Sequence, residues 1–417
     1  MFKKEKLENG MTVVMEQVRN VRSVSLGIWV KVGSRNESTE KSGISHFLEH
    51  MYFKGTKKRT AREIAFDIDS IGGDLNAFTS RENTAFYIKV LDEHIEKGVE
   101  LLTDIFRHSM LPVEDIEKEK GVIIEEIKMV EDTPDDYIHD LFNISVWGMK
   151  GLGQPVLGRR ETVKGITRDD LVSHIRKYYG VMDTIVSCAG NFEEEKLLRM
   201  LNETLGTLRR GSELRVGHPP VFNPSVSVHG KDISEVNICM GVEGLPQSSR
   251  HKYSFSILNS ILGAGISSRL FQEIREMRGL AYTIYSFISS YKDTGVWGVY
   301  AGTGSKKLDL VLELIMKDMK ALPDNVSDSE LQRAKDQLKG SLMLSLESTS
   351  GRMHSIAKQE IYYGRYYSPH DIIADIDAVN IRDIKEVAGM LIKGKAAALT
   401  VLGPVDDGHL RGTSLLL

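Results

Sequence analysis

Cysteine is nearly absent from this chain: Cys188 and Cys239 are the only two in 417 residues. Each lies inside an apolar, strand-like run, which suits buried thiols in a reducing compartment and argues against a disulfide framework. Long apolar stretches are missing too. No run approaches the ~18 consecutive apolar residues that a membrane-spanning helix needs. The opening, MFKKEKLENGMTVV, has early lysines with no apolar run behind them, unlike a signal peptide. Charge of one sign is also scarce: a net charge of -4 and a pI near 6.3 give no reason to expect nucleic acid or an anionic membrane as partner. No low-complexity tract occurs. A cytoplasmic globular protein is the expectation.

What is present is length and repetition. A chain of 417 residues exceeds what one hydrophobic core usually supports, so two domains are expected. The segment ITRDDLVSHIRKYYGVMDTIVSCAGNF, from Ile166, aligns without gaps on VNIRDIKEVAGMLIKGKAAALTVLGPV, from Val379. Asp170 falls on Asp383 and Gly190 on Gly403, a constant offset of 213 (383 − 170 and 403 − 190). Each copy reads as a capped amphipathic helix, a short turn, a buried strand and a glycine turn. More loosely, RSVSLGIWVKVGS parallels SEVNICMGVEGL as a strand. NAFTSRENTAFYIKVL and AYTIYSFISSYKDTGVWGVYAG both read as hairpins leading into helices. The expectation is an α+β fold: two repeated domains, 1–208 and 231–417, each a mixed, largely antiparallel sheet with helices packed on one face. The intervening 209–230 carries three of the ten prolines and no helical periodicity, as a linker would.

One stretch stands out chemically. SGISHFLEHMYFKGT, Ser42 to Thr56, places two histidines and a glutamate among apolar residues. On a helix His46 and His50 are i and i+4, so both imidazoles leave one face about one turn apart and can hold one tetrahedral ion from two corners. Glu49 lies on a neighbouring part of that face, within reach of a water at such an ion. A catalytic zinc needs a third protein ligand. The helical block EDIEKEKGVIIEEIKMVEDTPDD offers Glu125 and Glu126. Glu119 and Glu126 are seven apart and share a face, whereas Glu125 points elsewhere. Glu126 would complete a His, His, Glu set, and Glu119 could orient a ligand from behind. The competing reading is a solvated helix face, the commonest reason for such spacing. An H-x-x-E-H pattern arises by chance in roughly one chain in fifty.

Together, SGISHFLEHMYFKGT, GGDLNAFTSRENTAFY and EKEKGVIIEEIKM resemble the amino-terminal half of the pitrilysin/insulinase-type metallopeptidases, which carry the inverted motif H-x-x-E-H. The chain is especially similar to the mitochondrial processing peptidases and their bacterial relatives. GAGISSRLFQEIREMRGLAYTIYS matches the carboxy-terminal domain of that family, so the resemblance spans essentially the whole chain. It implies one Zn2+ per chain held by His46, His50 and Glu126, with Glu49 as catalytic base and Glu119 as supporting acid. Asn76, Ala77, Phe78 and Thr79 would lie on an edge strand to which substrate adds. Arg275 and Tyr282 would contact the substrate and its reacting carbonyl. The spacing from His50 to Glu126 is about one residue shorter than is common in the family, as a one-residue loop deletion would make it. The second repeat has RHKYSFSILNSIL where a zinc helix would be, with one misplaced histidine and no glutamate partner. The resemblance further implies a homodimer in which the partner's second domain completes the site, acting on peptides or unfolded polypeptides in an enclosed chamber. The other classes compatible with the sequence are a zinc-free peptide-binding or structural homologue and a zinc enzyme acting on another amide.

Overall fold

The fold is described from a computed structural model covering residues 1–211, 219–406, 410 and 415–417. Part of the expected linker, 212–218, and residues 407–409 and 411–414 of the expected second domain lie outside the described residues. Eleven strands form among the described residues, several of them buried along their whole length. Six form one sheet: β1 (Phe2–Lys6), β2 (Thr12–Gln17), β3 (Ser23–Val30), β4 (Asp74–Thr79), β5 (Thr84–Leu91) and β6 (Thr184–Gly190), in the order β1-β2-β6-β3-β5-β4. Five form the other: β7 (Val226–Gly230), β8 (Val236–Gly244), β9 (Ala281–Ser290), β10 (Gly295–Thr303) and β11 (Ala398–Gly403), in the order β7-β11-β8-β10-β9. Only the β2–β6 and β11–β7 pairs are parallel. Both sheets are therefore mixed and largely antiparallel, and the two expected hairpins are β4–β5 and β9–β10. The fold is α+β, as the sequence pattern implies.

Each repeat keeps its punctuation. Thr167 and Asp170 form a capping box at the start of helix Arg168–Tyr178, and Asn380 and Asp383 form one at the start of helix Ile381–Ile392. The glycine turns after β6 and β11 both need positive φ, +135° at Gly190 and +156° at Gly403. A Cβ on Gly190 would stand 2.2 Å from the Ser23 carbonyl oxygen, and one on Gly403 2.8 Å from that of Glu235. Cys188 on β6 and Cys239 on β8 are both buried and free, and burial pushes both thiols far above their ordinary pKa.

The chain forms two compact units, each assembled from three stretches. The first comprises Met1–Met129, a middle stretch beginning at Gln154, and Ser345–Tyr366. In β3 the side chains of Val24, Leu26, Ile28 and Val30 enter a core with the helical layer, including Phe47, Leu48 and Met51. Trp29 faces the other way and packs, with Ala85, Ile185 and Ala189, against Met353 and Ala357 of helix Thr349–Tyr363. Arg352 anchors that helix to Glu16 at 2.6 Å, and a Ser25–Thr349 hydroxyl contact of 2.9 Å adds to it.

The second unit comprises Val130–Gly153, a middle stretch ending at Leu344, and Tyr367–Leu417. Its sheet has a helical layer of the same kind on one face. On the other face, helix Pro134–Trp147 sets Ile138 and Phe142 against Cys239, Tyr300 and Ala398. The two single helices correspond in detail. His354 and His139 each occupy the sixth position of their helix. The His354 ring lies 5.9 Å from Phe78 and 5.1 Å from Tyr87. The His139 ring lies 5.0 Å from Phe287 and 5.7 Å from Tyr300. No helix among the described residues is long and apolar enough to cross a membrane.

The repeated turn gives a stability test. Gly190→Ala should lower unfolding free energy by about 2–4 kcal/mol, because it adds a backbone clash to an unfavourable φ. Gly121→Ala, in open space on an exposed helix position, should raise stability by about 0.5–1 kcal/mol. Denaturant titration of both variants checks the contrast.

Candidate metal centre

The helix Ile44–Tyr52 is short and anchored on one side by Ile44, Phe47, Leu48 and Met51, all within 3% of full burial. That anchorage turns His46, Glu49 and His50 to the opposite side. Its start is set by Gly43 at φ +94°, where a Cβ would meet the Leu157 carbonyl oxygen at 2.6 Å. The first orphan amides are met by Glu37: the Gly43 and Ser45 N–H groups donate to its two carboxylate oxygens at 2.7 and 2.8 Å. Glu37 is buried, and burial pushes its carboxyl up to about 7 against the pull of these donors.

The second element is helix Val113–Glu131, whose buried positions are Ile116, Glu119, Ile123 and Ile127. Glu119 thus stands in the apolar stripe, only 5% exposed. Its two oxygens are taken by the other helix's region: Lys54 Nζ at 2.6 Å and His50 Nδ1 at 3.0 Å. A carboxylate only accepts, so Nδ1 of His50 carries the proton and Nε2 is the ring nitrogen turned toward Glu126. Glu126, two turns on, brings its Oε2 to 3.5 Å from His50 Nε2 and 3.8 Å from His46 Nε2. Glu125 instead points to solvent and pairs with Lys128.

The donor atoms of His46, His50 and Glu126 all lie within 4.8 Å of one another. Ligands about 2.1 Å from a tetrahedral zinc are separated by roughly 3.4 Å, close to the 3.5 and 3.8 Å between Glu126 and the two imidazoles. Other observations fit the same group. Among the described residues, Glu126 Oε2 and Glu49 Oε2 are buried without hydrogen-bond partners, a costly arrangement for polar atoms with nothing to bind. Burial, reinforced by neighbouring His50, pushes His46 down to about 3, so its ring is neutral and able to donate a lone pair. These residues therefore fit a divalent cation of the zinc type. Glu49 faces Thr79 at the end of β4. Burial raises its pKa, and Thr79 and His50 moderate the rise.

Asn76, Ala77, Phe78 and Thr79 lie on β4, which ends its sheet and, among the described residues, pairs with β5 alone. Arg275 and Tyr282 belong to the second unit, on helix Phe271–Met277 and on β9. They meet each other, with the guanidinium 5.7 Å from the Tyr282 ring centroid, and Tyr282 is 77% exposed. Sequence reading missed Glu37 and Lys54. Glu37 sits in a polar stretch, SRNEST, with no periodicity to mark it. Lys54 follows the helix by two residues and looks like a surface cation.

Comparison with known proteins points the same way. Residues 12–160 match the family described as Insulinase (Peptidase family M16), and residues 165–338 match Peptidase M16 inactive domain. A Bacillus subtilis (strain 168) protein named "Uncharacterized zinc protease YmxG" is 40% identical over 97% of this chain and 98% of its own length. Among solved structures, a protease from Helicobacter pylori superposes with a TM-score of 0.90 at 23% identity, over 96% of this chain and 99% of that one. A chain of Complex III2 from Candida albicans, Inz-5 bound, gives 0.86 at 23% identity, over 97% and 96%. At these identities the two structures speak for the fold alone.

Two tests follow from the supports of the site. Glu37→Ala leaves two buried amides unpaired and should cost about 2–4 kcal/mol in chemical denaturation. Glu119→Gln should weaken Zn2+ affinity by about tenfold to a hundredfold, and Lys54→Met by about tenfold, in chelator competition. Wild-type affinity in both would remove their orienting role.

Proposed function

Because the chain belongs to the insulinase-type M16 peptidase family, we propose that it is a zinc-dependent endopeptidase whose own His46, His50 and Glu126 hold one Zn2+. The observation that carries this reading is the convergence of His46, His50 and Glu126 donor atoms within 4.8 Å of one another, with Glu126 Oε2 buried and unbonded among the described residues, beside Glu49. Bound zinc would supply Lewis acidity, polarising the scissile carbonyl and making water a better nucleophile.

The protein residues divide the remaining work. Substrate would add to β4 at Asn76–Thr79 as a further antiparallel strand, held by main-chain bonds that ask little of its sequence. Thr79 and Glu49 are neighbours, so a peptide lying along this edge passes the carboxylate. Glu49 is the general base: it accepts a proton from the attacking water and returns it to the departing amine nitrogen. Its raised pKa suits both transfers. Glu119 fixes the tautomer and direction of His50, and Lys54 fixes Glu119. Tyr282 and Arg275 offer donors for the developing oxyanion. By the family resemblance they would reach it from the second chain of a homodimer, with peptides or unfolded polypeptides as substrates.

Glu49→Gln should keep full zinc content and lose about a hundredfold or more in kcat on a peptide library read by mass spectrometry. His46→Ala and Glu126→Ala should lose the metal and with it all cleavage. Turnover by Glu49→Gln at the wild-type rate refutes the base, and stoichiometric zinc in Glu126→Ala refutes the ligand set.

A further inference from the structure

The first unit carries an open cavity of about 410 Å3 that the peptidase reading does not use. Its floor is apolar: Phe106, Leu111, Val172 and Ile175, with Tyr52 from the end of the histidine helix. Its rim holds four arginines, Arg107, Arg168, Arg176 and Arg209. The cluster is notable for what it does not touch. Several other arginines of this unit meet carboxylates, as Arg59 does with Asp67, Glu100 and Asp104, and Arg35 with Glu82, although Arg159 donates to the Thr39 carbonyl oxygen.

None of the four rim arginines makes an ion pair with a described residue. Arg168 donates to the carbonyl oxygens of Leu111 and Met110 at 3.1 and 3.3 Å, and Arg209 to that of Ile175 at 3.1 Å. Arg107 donates to the Thr204 carbonyl oxygen and, at 2.7 Å, to the Thr207 hydroxyl. Such bonds fix the direction of a guanidinium and leave its charge unanswered. Four positive charges thus surround one apolar floor in a chain whose net charge is -4.

We propose that this cavity binds a phosphate monoester carrying an apolar, ring-sized body. Guanidinium forks match phosphate oxygens in pairs, and a dianion answers more of the rim charge than a carboxylate does. The volume lies within the range of small-molecule sites and exceeds what inorganic phosphate alone would fill. The floor gives the remainder of the ligand an apolar surface to cover.

Calorimetric titration of the intact, zinc-loaded protein with 1-naphthyl phosphate, inorganic phosphate and 1-naphthol tests this. Naphthyl phosphate should bind about tenfold or more tighter than either of the others. The double variant Arg176→Ala/Arg209→Ala changes two exposed side chains and should weaken it by at least about tenfold. Arg176→Lys/Arg209→Lys should retain part of the affinity, because charge survives and the fork geometry does not. An unchanged thermal midpoint of each variant shows that the fold is intact. Absence of saturable naphthyl phosphate binding overturns the proposal. So does binding that the double alanine variant leaves unchanged, the result expected of a phosphate held at the metal centre. Equal affinity for inorganic phosphate refutes the apolar half of the site.

Discussion

The Glu119 carboxylate, buried in the apolar stripe of its helix, is the contact through which the two site-bearing helices are held in register. An ionised carboxyl in that position is tolerable only if both oxygens are answered. The answers come from the region of the other helix, Lys54 on one oxygen and His50 on the other. Burial of the charge and orientation of the ligand are therefore one constraint. If the helices slipped by a turn, Glu119 would lose its partners and Glu126 would leave the two imidazoles together. The same geometry separates Glu126 from Glu125, which differ by one position along the chain and by about 100° around the helix.

Much of this was legible in the sequence because it is periodic. The i, i+4 histidines, the seven-residue step from Glu119 to Glu126 and the 213-residue offset are spacings, and spacings survive without knowledge of the fold. The capped helix starts of the two copies were visible for the same reason, and the structure builds them as capping boxes at Thr167 and Asn380. Glu37 was not, because its reach to Gly43 and Ser45 depends on how the short loop between them turns, which no spacing records. Lys54 was hidden by its own chemistry: a lysine beside a helix end is ordinarily solvated, and only the placement of Glu119 gives it a partner. The four rim arginines are scattered from 107 to 209, and no local pattern gathers them.

The composition of the two units was also illegible in the sequence. Nothing in the periodicity of helices Pro134–Trp147 and Thr349–Tyr363 says which sheet they cover. Residue choice on the strands records the answer only indirectly. A Cβ on Gly27 would come within 2.7 Å of Met353 Sδ, so this strand position is kept bare where the helix approaches. The matched placement of His139 and His354 against aromatics of the two hairpins shows that the duplication includes these helices.

Because each sheet is completed by a helix drawn from the far half of the sequence, a break between the repeats would not release two finished bodies. Each fragment would carry away the cover of the other's sheet and leave exposed the apolar face around Trp29 or around Tyr300. The two repeats are in this sense mutual lodgers. Neither can be shuffled, truncated or inherited alone without the matching helix being supplied from elsewhere, and the duplicated chain is a single unit of inheritance although it contains one pattern twice.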